Sequence, residues 1–162
     1  MKQDEPISMT RWLMLALTVL RIAIGWYFLY EGLIKVLNPE WSAYSFLSVA
    51  TGPFASFFKS IAANPGALYF VNFLNQWALV LIGLSLILGL FSRWASLGGI
   101  LLVGLYYFAS PPFIGLAGKA MAEGNYLIVN KNLIEIIALW VLFQYSGSKV
   151  FGLDRFIKSI RL

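Results

Sequence analysis

Residues Trp12–Leu37, WLMLALTVLRIAIGWYFLYEGLIKVL, decide the class of this protein. The run is apolar except where Arg21, Glu31 and Lys35 interrupt it. A helix needs about 20 mostly apolar residues to cross the hydrocarbon core of a bilayer, and this segment supplies them. It follows a mildly acidic start (Asp4, Glu5), exceeds the length of a signal-peptide core and has no small-x-small cleavage site, so it is expected to stay in the chain as a span.

Outward from that run, three more segments have the same character: about Leu68 to Phe91, Trp94 to Ser110, and about Leu127 to Tyr145. Only Ser92 and Arg93 separate the second from the third, which predicts a tight antiparallel hairpin. Pro111-Pro112 stops the third helix, because proline lacks the amide donor and clashes with the preceding turn. The whole chain agrees with this reading. Of its 162 residues 60% are hydrophobic and 12% charged, with a mean hydropathy of +0.78. A soluble domain carries about 25% charged residues, so too little polar surface is present to coat a water-soluble globule. The expected fold is all-α, an integral membrane four-helix bundle forming a single domain over residues 1–162.

Positive residues set the expected orientation. With both termini cytoplasmic, the inner side holds Lys2, Arg11, Arg21, Arg93, Lys149, Arg155, Lys158 and Arg161, and the outer side Lys35, Lys59, Lys119 and Lys131. That asymmetry favours the cytoplasmic-termini arrangement. The net charge of +5 is small and scattered, which gives no reason to expect nucleic acid; Lys158 and Arg161 are expected at anionic lipid. The outer connection, Asn38 to Ala67, carries Phe46, Leu47, Val49, Phe54, Phe57, Phe58 and Ile61 beside Lys59 and several serines. Either it is a partly helical interfacial or re-entrant segment broken near Gly52-Pro53, or it is a loop skimming the headgroups. Small residues on the third span (Ala95, Ser96, Gly98, Gly99, Gly104, Ala109) predict a packing surface. Trp12, Trp41, Trp77, Trp94, Tyr126 and Tyr145 are expected in an aromatic belt.

The chain has no cysteine and no histidine. That removes disulfides, thiol relays, haem with His or Cys ligands, iron–sulfur clusters and ordinary zinc sites, so none of these and no other metal is expected. Carboxylates, amides, Lys, Arg, Tyr and Trp are left to do any chemistry. In the expected arrangement three spans bring such groups to one outer layer. Glu31 and Lys35 lie four apart on one helical face and can pair. Asn72, Asn75 and Gln76 follow on the second span; Asn132 and Glu135 open the fourth. Intramembrane charge costs about 2.5–3.5 kcal/mol on insertion scales, so it is expected to face the bundle interior and mark a site. The bland alternative is that these groups only glue helices together. At the inner end Arg21, Arg93 and Asp154 are expected to form a structural polar cluster that pins the C-terminal tail.

Several of these residues also carry a family likeness. Leu20-Arg21-Ile22 followed by Gly25, Phe28, Gly32 and Lys35 resembles the first helix of the DoxX family of small bacterial membrane proteins. Gly89-Leu90-Phe91-Ser92-Arg93-Trp94-Ala95 is similar to that family's hairpin motif, with Ser where Thr is usual. Lys131-Asn132-Leu133 and Gly152-Leu153-Asp154-Arg155 resemble its C-terminal signature, and Asn38-Pro39-Glu40-Trp41 its DoxD branch. The resemblance implies the bacterial inner membrane and a partner oxidoreductase subunit. For the DoxD branch it implies a thiosulfate:quinone oxidoreductase. A membrane quinone is then the expected cofactor. Asn72, Asn75, Gln76 and Asn132 would bind its oxygens, and Glu31 or Glu135 would pass protons. Lys35 would stabilise the reduced ring or hold an anionic substrate. Membrane lipids and a second copy of the chain are further expected partners, and two alternatives stay open: a non-catalytic anchor for the partner enzyme, and a small transporter or channel. The absence of broken-helix repeats argues mildly against the last.

Overall fold

The apolar run that opens the chain folds as one continuous helix, α1, Arg11–Leu37. Its buried residues are Thr18, Arg21, Gly25, Phe28 and Gly32, at alternating spacings of three and four, so one narrow stripe faces the protein. Much of the rest of its surface is apolar and turned outward: Trp12 is 78% exposed, and Val19, Trp26 and Tyr30 are also exposed. The computed structural model describes residues 11–112 and 128–144. Among them are five further helices: α2 Tyr44–Ser48, α3 Ala55–Ala63, α4 Pro65–Leu88, α5 Ser92–Ala109 and α6 Lys131–Gln144.

α1 packs most extensively on α4, and α5 on α6, with α4 against α5 joining the two pairs. Three glycines set the first contact. A Cβ on Gly32 would lie 2.8 Å from the Val80 amide nitrogen, one on Gly25 would lie 3.0 Å from the Gly83 carbonyl oxygen, and one on Gly83 would meet the Leu29 backbone. Close backbone approach through small residues is how helices associate where lipid removes the hydrophobic drive. Sequence reading placed the small-residue surface on the third span. There Gly99 does seat Leu139 and Phe28, but Gly104 meets nothing within 4 Å; the tightest backbone contact belongs to α1 and α4. Phe28, Leu79, Leu86, Val103 and Leu139, from four helices, close the common core.

Local signals fix the helix ends. Asn64 caps α4 by accepting from the amides of Gly66 (3.0 Å) and Ala67 (3.1 Å), with Pro65 in the first helical turn, where its missing donor is harmless. Gly89 ends α4 in the left-handed region at φ 68° and Phe91 follows at φ 50°, which makes the expected tight hairpin into α5. Asn130 caps α6, its Oδ1 accepting from the Leu133 amide at 3.0 Å.

The connection between α1 and α4 is partly helical, α2 and α3 being interrupted around Gly52-Pro53 as expected. It is a folded cap, not a slack loop. Ala43, Leu47, Ala50, Phe58 and Ala62 pack with Ala109 of α5. The amides of Thr51 and Gly52 both donate to the Ala109 carbonyl, at 3.0 and 3.2 Å. Gly52 is required there, since a Cβ would run into the Phe108 carbonyl. Asn72 holds the other end: its Oδ1 accepts from Ala43 N at 2.9 Å and its Nδ2 donates to Ser42 Oγ at 3.2 Å.

Among the described residues two helices, α1 and α4, are long and apolar enough to cross a membrane. α5 runs for 18 residues, and α6 for 14 among those described.

Candidate functional site

α1 ends, α4 begins, α5 ends and α6 begins at one end of the bundle. The Asn38–Asn64 connection folds over it. Beneath that cap is a cavity of about 440 Å³, within the range of small-molecule sites. Its floor is core: Phe28, Leu79 and Val103. Its walls carry Glu31 and Lys35 from α1, Asn75 from α4, Tyr106 from α5, and Lys131, Asn132 and Glu135 from α6. Trp41, Ser42, Ser45 and Phe46 of the connection complete it.

The expected Glu31–Lys35 contact is present, Nζ to Oε2 at 3.7 Å, with the Lys35 side chain 16% exposed and that of Glu31 44% exposed. Lys35 does not extend toward solvent. Its ammonium also stands 5.2 Å from the centre of the Trp41 ring and 5.8 Å from that of Tyr106, within cation–π reach of both. One carboxylate and two rings therefore hold the cation inside the chamber.

The three amides of α4 part company. Asn75, 9% exposed, faces the cavity and donates through Nδ2 to the Tyr106 hydroxyl, while its Oδ1 is buried with no hydrogen-bond partner among the described residues. Asn72 ties down the cap. Gln76 donates to the Lys35 carbonyl at 3.1 Å, satisfying one of the carbonyls that the end of α1 leaves without a helical partner. Neither Asn72 nor Gln76 lines the cavity, and both spend their amides on backbone or on the cap. On α6, Asn132 and Glu135 share the inward face, and Glu135 Oε1 is buried with no hydrogen-bond partner among the described residues.

Sequence reading missed Tyr106. It treated α5 as packing surface alone, yet the Tyr106 ring supports Lys35 and meets Phe46 edge-on at 5.8 Å. The Tyr106-Tyr107 pair, two phenols in the apolar second half of α5, was the available signal. Trp41, assigned to the aromatic belt, stands in the chamber wall; Trp12 and Trp94 face outward at the ends of α1 and α5.

The second expected cluster is only partly described. Arg21 is 3% exposed within α1, Arg93 is exposed at the start of α5, and Asp154 lies outside the described residues. Among the described residues no group of three or more His, Cys, Asp or Glu could hold a metal ion.

The family model described as DoxX matches residues 16–110, more than half of the chain. The chain belongs to the DoxX family. That match takes in α1 from its second turn and reaches Ser110, just past the end of α5. The DoxX model thus covers Glu31, Lys35, Asn75 and Tyr106, while Asn132 and Glu135 lie beyond it. Comparison with curated proteins and with solved structures gave no match. DoxX membership, two apolar helices of spanning length and an outward apolar surface together point to a membrane protein.

Proposed function

We propose that this DoxX protein is the membrane subunit of an oxidoreductase that passes electrons to a membrane quinone, with the chamber as the head-group site. In this reading α1, α4, α5 and α6 cross the bacterial inner membrane with both termini cytoplasmic, and the chamber opens toward the outer leaflet. The observation that carries it is the mixture of groups around one cavity: ring faces, two phenols, two amides, two lysines and two carboxylates.

Reducing a quinone to its quinol takes two electrons and two protons, and each carbonyl oxygen ends as a hydroxyl. Tyr106 accepts from Asn75, which leaves its own proton to donate to a carbonyl oxygen. Among the described residues Glu135 Oε1 and Asn75 Oδ1 have no hydrogen-bond partner, and such buried groups gain most from a ligand that donates to them. A hydroxyl of the product does so. Glu135 can equally hand over a proton, since a carboxyl within hydrogen-bond reach of a ligand oxygen is a competent acid. Phe46 and Trp41 provide faces against which a planar ring stacks. The electrons come from a reduced substrate or a partner subunit docked on the cap.

The test is direct. Lipids extracted from the purified protein should contain quinone in stoichiometric amount. Lys35→Met and Glu135→Gln should each slow quinol formation at least tenfold in membranes that contain the partner. Full rates in both variants would remove the mechanism.

A second reading, a non-catalytic membrane anchor for the partner enzyme, is favoured by Asn72 and Gln76, whose amides serve only the scaffold. It predicts no quinone in the lipid extract and unchanged rates in both variants.

A further inference from the structure

Lys35 leaves two roles open: stabilising a neutral ring as it is reduced, or capturing an inorganic anion. The setting of its ammonium chooses between them. Glu31 Oε2 lies 3.7 Å from Nζ, and the faces of Trp41 and Tyr106 take two further sides. The second cation of the wall, Lys131, sits four residues before Glu135 on the same helix, so each lysine of the wall has a carboxylate four positions away on its own helix. Among the described residues, the buried groups of the wall that lack partners, Glu135 Oε1 and Asn75 Oδ1, are oxygens. An oxyanion has no proton to give to either. At Lys35 it competes with the Glu31 carboxylate for the ammonium.

We infer that the chamber is selective for neutral ring head groups and excludes inorganic oxyanions, with Glu31 as the residue that enforces the exclusion. This rests on the reading of the chamber as a ligand site. It extends that reading in one respect: a tetrahedral dianion such as thiosulfate does not enter beside the quinone, so an anionic electron donor must be oxidised outside this chain. Glu31 acts here as a specificity device built from repulsion, since it spoils the site for the wrong ligand without having to touch the right one.

Equilibrium dialysis of the detergent-solubilised protein against radiolabelled sulfate, at constant ionic strength, tests the inference. Wild-type protein should show no saturable sulfate site. Glu31→Gln, which keeps the side-chain volume and removes the charge, should gain one site with at least tenfold higher affinity, and Glu31→Gln/Lys35→Met should lose it again. Saturable sulfate binding to wild type that disappears in Lys35→Met overturns the inference. So does an absence of binding in Glu31→Gln that elutes as a monodisperse, helical protein, because Glu31 is then not what keeps the anion out. A parallel titration of the same samples with a short-tailed benzoquinone reads the parent proposal separately. Its failure in wild type counts against the quinone site and leaves the sulfate result standing.

Discussion

Gly32→Ala tests whether the α1–α4 contact positions the chamber. Gly32 directly follows Glu31 and faces α4, where an added Cβ would stand 2.8 Å from both Val80 Cγ2 and the Val80 amide nitrogen. Ordinary carbon contacts lie at about 3.5–4.0 Å, so the new methyl is short by roughly 0.7 Å. A side chain could turn away, but the Val80 nitrogen is helical backbone and cannot. The two helices must therefore part by most of that distance. The Gln76–Lys35 hydrogen bond crosses the same interface at 3.1 Å, and a parting of this size carries it beyond about 3.6 Å, where it no longer counts as a bond. Overpacking of this kind costs about 1–3 kcal/mol, and the lost bond adds about 1 kcal/mol. Glu31 and Lys35 move with α1, away from Tyr106 on α5, so ligand binding should weaken as well. The measurement is thermal unfolding in detergent, with Gly104→Ala as control, since a methyl at that position meets nothing within 4 Å. Gly32→Ala should melt several degrees below wild type and Gly104→Ala at or slightly above it. Equal melting of the two variants would refute the reasoning.

Three further outcomes follow from individual contacts. Tyr106→Phe keeps the ring beneath Lys35 and against Phe46 but strips the partner of the buried Asn75 amide; it should cost about 1–3 kcal/mol of stability and weaken short-tailed benzoquinone binding about tenfold, and undiminished affinity by titration would remove the phenol from the site. Asn72→Ala leaves the Ala43 amide without its acceptor and frees Ser42, so amide hydrogen exchange across residues 43–50 should quicken while that of α4 itself stays slow; uniform protection would show that the tether does not hold the cap. Asn64→Ala deletes the α4 cap and should lower stability by about 1 kcal/mol in a denaturation series, with chamber binding unchanged because Asn64 lies outside the cavity wall.

The helical class, the breaks between helices and most of the charged membership of the site were legible in the residues alone. Those features are local. An apolar run of spanning length, Asn64-Pro65 at a start, Gly89 at an end and Gly52-Pro53 at a break act through their own backbones, and Glu31 and Lys35 meet because they are four residues apart on one helix. How the amides are used depends instead on helix packing. Asn72, Asn75 and Gln76 fall within five consecutive positions, yet the rotation of α4 points one at the cap, one into the chamber and one at the end of α1. Packing also brings Tyr106, far along the chain, and Trp41, just beyond the end of α1, to supply the faces that keep the Lys35 ammonium inside. The physical reason is that side-chain spacing fixes what a residue can meet on its own helix, whereas the angle and depth at which helices pack, set here by Gly25, Gly32 and Gly83, fix what it meets on another.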